Sequence, residues 1–324
     1  MAKTYTIIRT SIFTFLQNFQ HFTSTPSLLA FPFAVSTLLS QSLISSSNIF
    51  PLIHARLTSL FLASGFPPSS ELFAILNLKL TQTILGFLFV LPFTLSSLLI
   101  SKASIIRALH NKQEKNHKFS SWIAIFNPLL VTQLCNSLVI LSANATSFCI
   151  IVISFNVLDV LGLSSPKSIL LLSAIGVVIY SIILANAYII CNLSLIISGT
   201  EKHGGFISIL KACVLIRGRN GTALSLAVPI NLAFAAIEAL FQYRVVRAYN
   251  RAMAIDSSMV LEGMFIAYLY AILIVLDTIV GCLFLKSCKS DYQIDQDEIY
   301  SHQIEIQERD GKSFAKVKAL EYLP

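Results

Sequence analysis

Apolar residues along this chain gather into long unbroken runs, and most of the charge lies in the gaps between them. The longest such region, 119–200, spans 82 residues and holds two charged side chains, Asp159 and Lys167, near its middle. Uncharged runs of 40 residues (119–158) and 33 residues (168–200) flank that pair. Each exceeds the roughly 20 apolar residues that carry an α-helix across a bilayer. Lys102, Arg107, Lys112, Lys115 and Lys118 stand before the region, and Lys202, Lys211, Arg217 and Arg219 after it. The pattern predicts a transmembrane hairpin with its turn on one side and two basic anchors on the other.

The rest of the chain repeats the theme at shorter length. Over residues 4–23, Ile8, Ile12, Phe15, Leu16, Phe19 and Phe22 recur at helical spacing opposite Thr10, Thr14, Gln17 and His21. This predicts an amphipathic helix lying in the headgroup region. A first span is expected at 28–48, interrupted by Pro32, whose freed carbonyl a neighbouring helix or hydroxyl can satisfy. Residues 49–79, with Pro51, Pro67 and Pro68, read as a loop. Further spans are expected at 80–101 (kinked at Pro92), 123–147, 169–197, 222–243 and 258–285. The apolar character of the third persists through 148–158, as in a long tilted helix or one whose end follows the interface. Residues 205–216 suggest a second interfacial helix, followed by a basic turn from Arg217 to Gly221. The expected fold is therefore an all-α membrane protein: one integral domain over 1–290, a bundle of six transmembrane helices with an N-terminal interfacial helix. Residues 291–324 form a polar cytosolic tail, expected to be disordered in isolation.

Composition supports that picture and charge orients it. Hydrophobic residues are 55% and charged residues 12%, about half the charged fraction of soluble domains. With six spans both termini share a side, and their side collects 17 Lys and Arg against five across the membrane, with Lys79 adding one to the poorer side. By the positive-inside tendency both termini face the cytosol. Arg244, Arg247 and Arg251 run against it. The net charge of +7 lies beside apolar runs, so the lipid bilayer rather than nucleic acid is the expected partner. No acidic residue precedes Glu71, which raises an organelle transit peptide, although Arg is sparse for one.

Few residues suggest chemistry. Asp277, Asn192 and Gln133 fall at similar depth, about 12–16 Å inside the cytosolic boundary at 1.5 Å per residue. They are expected to form one intramembrane polar layer. That layer is either a contact for a small solute or proton, or an interhelical clamp worth ~1 kcal/mol per hydrogen bond. Glu238 and Glu262 are placed to pair with Arg244 or Arg247. Gly221/Ser225 and Ala223/Ala227 offer small faces for close packing of the fifth helix. Cys288, in Lys286-Ser-Cys-Lys289, is a candidate for palmitoylation, with an unmodified juxtamembrane Cys the plain alternative. The remaining cysteines lie in or beside apolar runs without CxxC or metal-ligand spacing, and HExxH, GxSxG, Walker A and GxGxxG signatures are missing. No catalytic residue, metal or cofactor is expected, and the chain reads as a non-enzyme.

In the sixth span, Leu276-Asp277-Thr278-Ile279-Val280, with Cys282 and the exit Lys286–Lys289, resembles the closing helix of a large family of plant polytopic transmembrane proteins with no established activity. Asn18 and Phe22 in the first helix and the Lys-containing segment 209–218 match as well. The resemblance covers most of 4–289, and the family is similar in layout to some bacterial multi-span domains. It implies six helices and an integral membrane location, and carries no catalytic residues over because the family has none assigned. The expected function is a membrane scaffold or accessory protein, with other membrane proteins as candidate partners. A small-solute transporter or channel using the layer around Asp277 is the alternative. An ER-type endomembrane is favoured over the plasma membrane, and no substrate is specified.

Overall fold

The computed structural model describes residues 2–46, 49–63, 71–110, 120–160, 162, 166–201, 203–252 and 257–321. Every element among them is helical. In chain order they are α1 (Ala2–Gln17), α2 (Phe19–Ser46), α3 (Ile49–Ala63), α4 (Glu71–Phe93), α5 (Leu99–His110), α6 (Ser120–Val160), α7 (Pro166–Glu201), α8 (Phe206–Ile216), α9 (Asn220–Phe241), α10 (Arg247–Ala252) and α11 (Ser257–Glu321). A π-helical turn at Thr94–Leu98 joins α4 to α5, and another at Gln242–Val246 joins α9 to α10. Among the described residues six helical segments are long and apolar enough to span: Phe19–Ser40, Leu80–Leu109, Ile125–Leu158, Leu170–Glu201, Asn220–Tyr249 and Ser257–Ser290. The chain is an all-α membrane protein.

Several expected boundaries shift. The first spanning segment begins at Phe19 rather than 28, because α2 runs straight through Pro26. A proline in a helix leaves the carbonyl four residues back without its amide donor. The Ser27 hydroxyl supplies that donor, 2.8 Å from the Phe22 carbonyl. Residues 49–63, read as loop, form the apolar helix α3: Pro51 sits in its first turn, where a missing N–H costs nothing. The tail expected to be disordered in isolation continues α11 as far as Glu321. The long third helix is unbroken from Ser120 to Val160. Pro67, Pro68, Lys112, Lys115 and Lys118 lie outside the described residues.

The hairpin of α6 and α7 forms as expected, with Gly162 at positive φ (68°) in its turn. The bundle, however, is centred on α11, which packs against α1, α2, α5, α7, α8 and α9. Its most extensive seam is with α2, where Ala30 and Ala34 share one buried cluster with Ala267 and Ala271, all four essentially sealed. Small residues four apart let two backbones approach, and here dispersion gathers where the hydrophobic effect offers little. Of the small pairs singled out on the fifth helix, Ala223 is buried in the core shared with α7, α8 and α11, whereas a Cβ placed on Gly221 would meet no atom within 4 Å. At one end of the bundle Glu201 accepts from both Lys211 of α8 and Lys289 of α11, each at 2.7 Å. At the other, Arg244 donates to Glu262 at 3.4 Å, while Glu238 accepts from the Tyr270 hydroxyl at 3.1 Å.

Candidate functional site

The second apolar run does not stop at Lys102. Ala103, Ile105 and Ile106 carry it onward and are buried against neighbouring helices, so α5 holds the intervening lysine inside the bundle. Lys102 is 7% exposed, and its ammonium donates to Asn192 Oδ1 of α7 at 2.8 Å. The other half of the same amide donates from Nδ2 to Asp277 Oδ2 of α11 at 3.1 Å. One asparagine thus spans a cation and an anion on three helices, its carbonyl turned to the positive end and its amino group to the negative. Such a chain is net neutral whether the outer pair is ammonium and carboxylate or amine and acid. An ammonium has three donors and a carboxylate about four acceptor positions, so two bonds leave capacity at both ends.

Of the three residues expected in the polar layer, Asn192 and Asp277 are thus hydrogen-bonded to each other. Gln133 lines the same cavity but makes no hydrogen bond to either. The α6 residue that ties this region together lies one turn on. Asn136, 1% exposed, donates to the Cys191 carbonyl at 2.9 Å and accepts from the Ser194 hydroxyl at 2.9 Å. Below it Thr132 donates to Ser198 at 2.9 Å and accepts from the Gly205 amide at 2.9 Å, pinning the turn between α7 and α8 onto α6. Lys102 was missed because a lysine at the end of an apolar run beside Arg107 and Lys112 ordinarily snorkels to the interface. The available signal was the apolar continuation past it, with Ile105, Ile106, Ala108 and Leu109 filling two more turns.

The bridged chain borders a cavity of about 790 Å³. This falls in the ~300–1,000 Å³ range of small-molecule sites. Its walls come from α7, α9 and α11, with Phe33 of α2, Leu98 and Lys102 on one side and Gln133 and Asn136 of α6 on another. Most of the lining is aliphatic or aromatic; its charged groups are Lys102 and Asp277, with Asn192 between them, and Gln133, Asn136, Ser181 and Asn231 add further polar side chains. Among the described residues no group of three or more His, Cys, Asp or Glu side chains converges as a metal centre would require.

Cys288 is placed differently from what its flanking lysines suggested. It is 1% exposed in the core formed by α1, α7, α8, α9 and α11, and its carbonyl accepts from Arg219 at 2.9 Å. In this arrangement the thiol is withheld from an acyl donor at the interface.

A family described as a domain of unknown function (DUF8558) matches residues 3–309, almost the whole chain, and the protein belongs to it. No curated protein and no solved structure matches.

Proposed function

We propose that this member of the DUF8558 family binds a small molecule inside the membrane, as a transporter or carrier, with Lys102, Asn192 and Asp277 as its binding layer. The observation that supports this reading is the bridged chain lying open to a cavity of ligand size. Ionisable groups at bilayer depth are costly and ordinarily face a partner or a pathway. A purely structural clamp needs no space beside it; here the same three side chains line one. Binding without catalysis is the whole of the reading. The lopsided loop charges support cytosolic termini, and an ER-type endomembrane rather than the plasma membrane is the location proposed.

Native mass spectrometry of the full chain released from detergent tests the reading. Co-purifying small molecules should be retained by the wild type and lost from the charge-balanced variant Lys102→Met/Asp277→Leu. Equal retention by both would remove the site.

A second reading, a scaffold or accessory protein, is favoured by the length of α11. It continues as helix past the span ending at Ser290 to Glu321, about 46 Å at 1.5 Å per residue. A scaffold should co-purify with other membrane proteins, and truncation at Ser290 should release them.

A further inference from the structure

The cavity is open at its side. Tyr188 of α7 and Leu224, Val228 and Leu232 of α9 line it while themselves being 55%, 46%, 55% and 70% exposed. The space therefore reaches the outer surface of the bundle along the seam between α7 and α9. Both helices are long and apolar enough to cross a membrane, so that surface faces hydrocarbon. Leu224, Val228 and Leu232 follow one another at intervals of four and form an apolar row about 12 Å long. Ser181 and Asn231 add exposed polar groups to the same lining, so the mouth is mixed in character, and because it opens on the lipid-facing surface, molecules dissolved in the bilayer reach it first.

The inner end specifies the other half of the ligand. The Lys102–Asn192–Asp277 chain carries no net charge, so a lone anion or cation would leave one member of the pair uncompensated in a low-dielectric site. A neutral headgroup with both an acceptor and a donor can address Lys102 and Asp277 together, as the Asn192 amide already does.

Deepening the binding reading on which it rests, we infer that the ligand is a neutral amphiphile that enters sideways from the bilayer. A hydroxyl- or amide-bearing head contacts the Lys102–Asn192–Asp277 layer, and an aliphatic chain leaves between α7 and α9. The shape is that of a monoacylglycerol or long-chain amide rather than a free fatty acid, an alkylamine or a sugar.

The test uses the full chain in phosphatidylcholine nanodiscs and a monoacylglycerol carrying a diazirine and an alkyne on its acyl chain. Photolabelling should fall on residues 180–196 and 223–234. Monooleoylglycerol should compete at about tenfold lower concentration than oleate or oleylamine, since each charged analogue upsets the balanced pair. Filling the mouth with Leu224→Trp/Val228→Trp, which leaves the polar layer intact, should reduce labelling several-fold. If that variant does not fold, Val228→Phe with an unchanged unfolding temperature makes the same test. Equal competition by the charged analogues, or labelling indifferent to the mouth, would overturn the proposal. Retention of a water-soluble molecule that depends on Lys102 and Asp277 would also overturn it, while leaving the binding reading standing. A site that retains nothing overturns both. Labelling displaced by a second copy of the chain would show the mouth to be a subunit contact and likewise overturn it.

Discussion

Lys102 shows how one side chain's surroundings set its meaning. Removing one member of a buried charge pair leaves the other uncompensated, on the order of 3–5 kcal/mol. Lys102→Met should therefore lower the unfolding temperature more than the double variant Lys102→Met/Asp277→Leu, which removes both charges; calorimetry or light scattering in detergent reads the difference. If the single variant is no worse than the double, the two charges do not interact through Asn192. Glycines make a second contrast at this scale. A Cβ at Gly204 would stand 2.7 Å from the Pro128 carbonyl oxygen and 2.9 Å from its Cα, both backbone atoms that cannot step aside. A Cβ at Gly281 would meet Ile196 Cδ1, the far end of a flexible side chain. Gly204→Ala should thus cost about 1–3 kcal/mol by overpacking and Gly281→Ala visibly less, as unfolding in the same detergent would reveal.

Elements are held together by small faces and a few ionic ties. Along the α2–α11 seam, Ala34 and Ala271 are fully buried between two backbones. Ala271→Leu would push the helices apart and should destabilise the bundle by more than ~1 kcal/mol, whereas Leu at the uncrowded Gly221 should be tolerated. Comparing folded yield of the two by size-exclusion chromatography checks the assignment. Glu201 joins α7, α8 and α11 through two lysines that are 50% and 44% exposed. Exposed pairs contribute ~0–1 kcal/mol each and are screened by salt. Glu201→Gln should accordingly lose little stability, with the loss shrinking at high ionic strength; a large salt-independent loss would mean that the tie is more deeply buried than it looks. Proline placement follows the same local logic, with Ser27 answering for the carbonyl that Pro26 frees.

Taken whole, the molecule is a helical bundle whose outer surface is covered with large apolar side chains, among them Leu138, Leu141, Ile153, Leu171 and Val177. Such a surface belongs in lipid, and the protein should stay with the membrane pellet through an alkaline carbonate wash; release into the supernatant would contradict the spans. The amino-acid sequence alone determined the fold class and the six spans, because hydrophobic length and lopsided charge are one-dimensional properties that the bilayer reads directly. It also put Asn192 and Asp277 at one depth, since rise along a helix converts position into height. What only the tertiary structure decided is which faces meet. Depth does not fix rotation about the helix axis or choice of neighbour, so Gln133 and Asn136, one turn apart, could exchange roles, and Lys102 could pass for an interfacial anchor. Three-dimensional packing brought Lys102 to Asn192, made α11 the centre of the bundle, and left a cavity open between α7 and α9.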